Sequence, residues 1–95
     1  MAAFRLEMPP HVAEVIRHLP PDLKRPIKAA LRLLSGDPGA GEPLIRELEG
    51  LWKYRVKRFR IVYAIDRKRR DVRIMAVAHR RQIYEALVEE IRSRK

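Results

Sequence analysis

The stretch GLWKYRVKRFRIVYAID, residues 50 to 66, decides the fold of this 95-residue chain. Between residues 52 and 56, and again between residues 59 and 66, side chains alternate with a period of two, which is the pattern of a strand with one buried face. Only Lys57 and Arg58 separate the two runs. The sequence therefore predicts a β-hairpin whose first strand carries a basic face.

The chain after this hairpin predicts one more strand and a helix. Residues 67 to 70, RKRR, read as a hairpin tip, and Val72 to His79 is apolar on both faces in its middle, as in a central strand. Ile83, Leu87 and Ile91 follow at four-residue spacing, which indicates a C-terminal helix.

The chain before the hairpin predicts a short strand and two helices. Residues 4 to 8 alternate as a strand does, whereas residues 10 to 19 and 22 to 34 place apolar side chains at helical spacing. Pro10 suits a first helical position, and Asp22 is the expected N-cap of the second helix. The next nine residues, SGDPGAGEP, are all turn formers and predict an exposed loop.

The resulting order is β-α-α-β-β-β-α. Helices and strands that do not alternate as βα units indicate the α+β class. We expect a small single domain spanning residues 1 to 95, with a mainly antiparallel sheet, helices packed on one face and the other face open.

The positive charge is concentrated in one segment. The whole chain has 22 Lys and Arg against 12 Asp and Glu, a net charge of +10. Residues 53 to 81 hold twelve of the basic residues and only two acids, so this segment accounts for the entire excess. A local positive field of this kind favours a polyanionic partner, such as a nucleic acid or an acidic protein.

Several classes of protein and site are excluded by composition. The chain has no cysteine, and its three histidines are scattered, so neither a disulfide framework nor a metal site is expected, and no cofactor is predicted. No apolar run is long enough to span a bilayer, and the first residues lack the pattern of a signal peptide. We expect a cytoplasmic protein with no membrane partner.

Four cations and an aromatic residue are predicted to converge on the uncovered face of the sheet. Lys53 and Arg55 point the same way from one strand, Arg60 begins the next, and Arg80 ends a neighbouring strand with Tyr84 one helical turn further on. No acid occurs among these positions, so we expect a groove of uncompensated positive charge.

The motifs GLWKYRVKRFRIVYAID and VRIMAVAHRRQIY, at residues 50 to 66 and 72 to 84, resemble the core of the RelE/ParE superfamily of toxins of type II toxin-antitoxin systems, especially its RelE branch. The resemblance covers nearly the whole chain and implies a microbial-RNase-type fold. It also implies a cytosolic endoribonuclease that needs no metal, enters the ribosomal A site, cuts translated mRNA and inhibits translation. A cognate antitoxin would hold it inactive, and the antitoxin complex would contact operator DNA.

The resemblance also assigns candidate catalytic residues. They are Lys53, Arg55, Arg60, His79, Arg80 and Tyr84. Lys53 falls on a lysine used at the scissile phosphate, the arginines suit phosphate binding, and Tyr84 matches an aromatic that stacks on a base or assists proton transfer. Which group is the general base and which the acid stays open.

Further basic residues are candidate nucleic-acid contacts. They are Lys57, Arg58, Arg67, Lys68, Arg69, Arg70, Arg73 and Arg81. Two other functions fit the same pattern: a ParE-like inhibitor of DNA gyrase, which shares the fold and the basic sheet, and a non-catalytic module that binds nucleic acid or antitoxin.

Overall fold

Five strands form one sheet in the computed structural model, which describes residues 3 to 93; the ends of the predicted domain lie outside the described residues. The strands are β1 (Arg5–Glu7), β2 (Glu42–Pro43), β3 (Leu51–Val56), β4 (Phe59–Asp66) and β5 (Asp71–His79). Their order across the sheet is β1-β5-β4-β3-β2. The β1 strand pairs with β5 in parallel, and the other pairs are antiparallel. The predicted α+β class and mainly antiparallel sheet are confirmed.

The two predicted hairpins are present. Val56 pairs with Phe59, so β3 and β4 are joined by the predicted two-residue turn, in which Lys57 has a φ of 55°. The RKRR segment forms the tip between β4 and β5, where the backbone N–H of Arg69 donates to the Asp66 carboxylate at 3.0 Å. The Asp66 side chain thus stabilises the tip, as Asp commonly does in turns.

Three helices, α1 (Pro10–Arg17), α2 (Pro21–Gly36) and α3 (Ile83–Ser93), complete the described fold. The first begins at Pro10, as predicted. The prediction that Asp22 caps α2 is wrong: Pro20 holds the extended cap position and Pro21 is the first helical residue. Proline is preorganised for the first helical position, so the helix begins two residues earlier and Asp22 lies in its first turn.

The predicted exposed loop before β3 is more ordered than its composition indicates. Glu42 and Pro43 pair with Lys53 and Trp52 as the short strand β2, and Pro38 is buried in a single 3₁₀ turn. The loop extends the sheet because its backbone supplies hydrogen bonds to the outer edge of β3, which apolar periodicity does not reveal.

Apolar side chains pack on both faces of the sheet. On one face the core includes Val12 of α1, Ile27 of α2 and Ile61 and Tyr63 of β4. Val62, between those two β4 residues, belongs to a second cluster on the opposite face, because successive residues of a strand point to opposite sides.

The C-terminal helix packs against this second cluster through Ile83 and Leu87. The prediction that all helices lie on one face is therefore wrong for α3. The small side chains of Ala76 and Ala78 lie in or against the same cluster and allow a helix to approach the strand closely. Part of the face that was expected to be open is covered.

A β-bulge changes which side chains of β5 share a face. Tyr63 pairs with Ile74 and Val62 pairs with Ala76, so Met75 is the extra residue. Simple alternation places Ile74 and Ala76 on one side, and this prediction is wrong. In the structure Ile74 packs with the α1 and α2 face, whereas Ala76 packs with α3.

Candidate active site

A cavity of about 350 Å³ opens on the sheet face that α3 partly covers. Cations, one aromatic ring and aliphatic side chains line it. The lining residues are Leu44, Lys53, Arg60, Val62, Arg80, Arg81, Ile83 and Tyr84. Four of the six predicted catalytic residues, Lys53, Arg60, Arg80 and Tyr84, are thus brought together.

The sheet fixes where the cations stand. Lys53 lies directly opposite Val62 across the β3–β4 pair, and Arg60 lies between Arg55 on one side and Ala78 on the other. Side chains on central strands are placed more accurately than side chains on loops. The cavity therefore has two of its cations on the most rigid part of the fold.

The tight turn between β3 and β4 holds two of the three arginines that line the cavity, Arg60 and Arg80. The Arg60 guanidinium donates to the carbonyl oxygen of Phe59 at 3.1 Å and to that of Lys57 at 3.5 Å. The backbone N–H of Arg80 donates to the carbonyl oxygen of Arg58 at 2.7 Å. The end of β5 is thereby fastened to the turn, and Arg80 stays beside Arg60.

Tyr84 stands at the mouth of the cavity in the first turn of α3. Its side chain is 60% exposed, whereas the neighbouring Ile83 is buried against the sheet. Ile83 therefore anchors the start of the helix, and Tyr84 presents an exposed aromatic face. Such a ring is suited to stack on an unpaired base.

The cations of the cavity have no carboxylate partner in the described part of the chain. Among residues 3 to 93, none of the acidic side chains lies within salt-bridge distance of Lys53, Arg60 or Arg80. Lys53 and Arg60 are half-buried. Like charges gathered on a partly desolvated surface create a strong positive potential, so the cavity is suited to bind a phosphate.

Arg55 and His79 lie outside the cavity. Arg55 is exposed and lines a separate shallow cleft with α2. The His79 ring meets the edge of Phe59 at a centroid distance of 6.0 Å, and its Nδ1 accepts a hydrogen bond from the backbone N–H of Arg81 at 3.2 Å. The bulge at Met75 puts His79 in phase with Val77 and directs it toward α1 rather than toward the cavity.

The predicted nucleic-acid contacts divide between the two ends of the sheet. Lys57, Arg58 and Arg81 lie at the cavity end. The tip residues 67 to 70 and Arg73 lie at the other end of β4, roughly 23 Å away for a strand of eight residues.

The far end is also less free to bind an anion. Arg73 forms an ion pair with Glu7 at 3.0 Å, and the Arg70 guanidinium lies 4.6 Å from the centre of the Phe4 ring. The predicted contacts therefore form two separate basic surfaces rather than one.

Sequence patterns did not identify the aliphatic part of the cavity. Leu44, Val62 and Ile83 carry no charge or motif, so charge and motif patterns do not single them out as site residues. Val62 could have been found from the hairpin register, because it faces Lys53 across the pair. Leu44 reaches the site only because its backbone N–H donates to the Leu51 carbonyl at 2.8 Å, beyond the unpredicted strand β2.

Two further observations concern metal ions and membranes. Within the described part of the chain, no group of three or more His, Asp or Glu side chains is arranged to hold a metal ion. None of the helices seen there has the length and apolar character needed to cross a membrane.

Comparison with known proteins agrees with this fold. The sequence profile of the ParE toxins of type II toxin-antitoxin systems (parDE) matches residues 11 to 84. The fold is that of a toxin of the RelE/ParE superfamily, as the sequence resemblance implies. The chain belongs to the ParE toxin family and is a toxin of a type II toxin-antitoxin system.

Solved structures of RelE toxins share the fold. The RelBE2 toxin-antitoxin complex of Mycobacterium tuberculosis matches with 29% identity and a TM-score of 0.71, over 81% of this chain and 98% of that one. A free mutant RelE toxin of E. coli matches with 19% identity and a TM-score of 0.72, over 94% and 98%. The archaeal RelE-RelB complex of Pyrococcus horikoshii matches with 18% identity and a TM-score of 0.69, over 84% and 97%. No curated protein matches this chain by sequence.

Proposed function

We propose that this toxin is a ribosome-dependent, metal-independent endoribonuclease that cuts mRNA, and that the cavity is its active site. The observation that carries the proposal is the convergence of Lys53, Arg60 and Arg80 beside an exposed Tyr84, with none of the acidic side chains of residues 3 to 93 in salt-bridge distance of the three cations. Lys53, Arg60 and Arg80 around a cavity of this size, with Arg81 also in its lining, suit a single phosphate. A basic surface that served only to keep the protein soluble would not need its cations gathered at one point.

The reaction would use the 2′-hydroxyl of the RNA as nucleophile. As the 2′-oxygen bonds to phosphorus, the bond to the 5′-oxygen breaks, the 2′-hydroxyl loses a proton and the leaving oxygen gains one. The phosphate gains negative charge on the way, so groups that bind it more tightly in the transition state speed the reaction.

Each of the four candidate catalytic residues in the cavity has a role in this scheme. Arg60 and Arg80 are always charged and can hold phosphate oxygens in a bidentate manner, which stabilises the growing charge. Lys53 contacts the phosphate or accepts the proton of the 2′-hydroxyl. Tyr84 stacks on a base next to the cut, which keeps the attacking oxygen in line with the leaving group, or takes part in proton transfer.

Arg55 and His79 take supporting roles in the proposal because they lie outside the cavity. Arg55, on the same face of the sheet as Arg60, contacts the RNA backbone away from the cut. His79 acts through the hydrogen bond that its ring accepts from the Arg81 backbone, which orients the chain just after Arg80.

The proposed partners follow from the same scheme. The RNA is mRNA in the ribosomal A site, and the two basic ends of the sheet, including the predicted contacts at residues 67 to 70, would touch ribosomal RNA in a salt-dependent way. Solved RelE structures include complexes with RelB. We propose likewise a cognate antitoxin, contact with operator DNA through the antitoxin complex, a single toxin domain over residues 1 to 95, and action in the cytoplasm.

A second candidate function is inhibition of DNA gyrase without RNA cleavage. It is favoured by one observation, namely that the matching family profile is that of ParE toxins. A non-catalytic module that binds nucleic acid or antitoxin is the third. The cation cavity favours the ribonuclease over both, because neither needs three cations around one phosphate.

Parallel assays separate the three functions. The purified protein is added to ribosomes translating a defined mRNA, whose cut ends are mapped by primer extension, and to gyrase in a supercoiling assay. We expect mRNA cuts and unchanged supercoiling, and loss of the cuts in Lys53→Ala, Arg60→Ala and Arg80→Ala. Inhibited supercoiling with intact mRNA would establish the gyrase function, and salt-dependent RNA binding without cutting would establish the binding module.

A further inference from the structure

A buried tyrosine ties the loop before β2 to the strand that carries Lys53. Tyr63 lies in the core with no exposed surface, and its ring stacks on Trp52 at a centroid distance of 6.4 Å. Its hydroxyl donates to the carbonyl oxygen of Pro38 at 2.7 Å and accepts a hydrogen bond from the backbone N–H of Gly41 at 3.2 Å. The donor and one acceptor site of this hydroxyl are therefore both used on one loop.

Gly41 fits this place because it has no side chain. A Cβ at this position would collide with both the Lys53 carbonyl oxygen and the Tyr63 hydroxyl. The backbone angles of Gly41 are open to any residue, so the requirement is for space alone. The loop therefore packs its main chain directly onto the main chain of Lys53.

This contact determines how the outer wall of the cavity is held. Lys53 pairs with Val62 on its inner side, and on its outer side with Glu42, the residue after Gly41. Leu44, two residues further along, also lines the cavity. Arg60 and Arg80 are instead held by hydrogen bonds to the turn between β3 and β4. The Lys53 side of the cavity and the arginine side are therefore held by different contacts.

We propose that the contact of Tyr63 with Pro38 and Gly41, here called the tyrosine latch, positions Lys53 for the cleavage step. This inference rests on the proposed ribonuclease function. Tyr63 is a positioning residue, since it lies on the opposite face of the sheet from the cavity and acts through the loop and the Lys53 backbone. Burial raises the pKa of Tyr63, so the hydroxyl keeps its proton and remains a donor to Pro38 across the neutral range.

The variant Tyr63→Phe tests the latch because it removes one oxygen and keeps the ring stacked on Trp52. Misplacement of a reacting group by a fraction of an ångström to 1 Å lowers rates by about 10- to 100-fold. We expect a single-turnover cleavage rate at least about 10-fold lower on saturated ribosomes, with the Kd for an uncleavable 2′-deoxy-substituted mRNA changed less than twofold. Gly41→Ala, which disturbs the same contact from the loop side, should behave alike.

The matched control is Ser35→Ala. The Ser35 hydroxyl also donates to a backbone carbonyl, that of Phe4, but lies away from the cavity. We expect this variant to cleave at the rate of the unaltered protein. A slower Tyr63→Phe with a normal Ser35→Ala excludes a general effect of losing one hydroxyl that donates to a backbone carbonyl.

A double-mutant cycle shows whether the latch acts through Lys53. In a Lys53→Ala background, Tyr63→Phe should change the residual rate less than twofold, whereas in a Tyr84→Ala background it should keep its full effect. Equal effects in both backgrounds would overturn the proposal, as would a Tyr63→Phe protein that cleaves at the normal rate. If the unaltered protein cuts no mRNA, the proposed function itself fails, and this is seen before any variant is compared.

Discussion

Replacement of Arg80 by alanine separates the chemistry of the cavity from the general positive charge of the protein. The side chain of Arg80 is exposed, and the hydrogen bond that fixes this position comes from its backbone N–H to the Arg58 carbonyl. Alanine keeps that bond. The variant should therefore remain folded, with the free energy of unfolding changed by no more than about 0.5 kcal/mol.

The effect on catalysis should be much larger. If Arg80 donates to phosphate oxygens that gain charge in the transition state, its loss resembles the loss of one donor from an oxyanion hole. Such a loss costs about 100- to 1,000-fold in rate, or roughly 2.7 to 4 kcal/mol. Loss of one phosphate contact should also lower the slope of log K against log salt for single-stranded RNA by about 0.7.

The assay is single-turnover cleavage of ribosome-bound mRNA, with chemical denaturation as a check on folding. Arg32→Ala is the control, because Arg32 is exposed on α2 and the variant loses the same charge at a distance from the cavity. We expect less than a threefold change for the control. If Arg32→Ala and Arg80→Ala slow cleavage equally, net charge explains the activity and the cavity does not.

The remaining predictions concern other parts of the fold. Leu87→Ala removes a buried contact of α3 and should cost about 2 to 4 kcal/mol, with faster amide exchange in α3 than in β4 and β5; equal protection in all three would contradict this. Because burial raises the pKa of Tyr63 above its ordinary 10.0, stability should be unaffected by this group below about pH 10 and fall above it, as the unfolded chain ionises first. That fall should shrink in Tyr63→Phe when unfolding is followed by circular dichroism. His79→Ala should slow cleavage less than about fivefold, since its ring faces away from the cavity, and a loss as large as that of Arg80→Ala would place it in the chemistry.

The hairpin and its basic face could be predicted from the sequence because local rules fix them. Alternation with a period of two and a two-residue turn leave one register, and that register sets Lys53 and Arg60 on the same side. Arg80 and Tyr84 could be added because they follow the last strand directly. These four positions needed no information from distant parts of the chain.

The side of the sheet to which the His79 side chain points could not be predicted in the same way. A single extra residue at Met75 reverses every side chain after it in β5. The bulge lies in a run that is apolar on both faces, so hydrophobicity gives no sign of it. The position of α3 was missed for a related reason, since Ala76 and Ala78 accept a helix on the face that alternation does not assign to them.

The outer wall of the cavity was missed because it depends on backbone contacts between distant segments. The loop predicted at residues 35 to 43 reads as solvent-exposed by composition, yet its residues 37 to 43 pack on Lys53 through Gly41 and on the Tyr63 hydroxyl. The sequence alone does not distinguish a glycine that is required by a turn from one that allows two backbone segments to approach closely. Only the folded chain distinguishes the two.

The most direct measurement compares two ribosome-bound mRNAs that differ by one oxygen atom. One carries a ribonucleotide on the 5′ side of the mapped cut, and the other carries a 2′-deoxynucleotide there. The proposed mechanism predicts that the purified toxin cuts the first and leaves the second intact at that position, with equal binding to both. Equal cutting of both mRNAs would contradict attack by the 2′-hydroxyl, and no cutting of either would contradict the assignment of the cavity as a ribonuclease site.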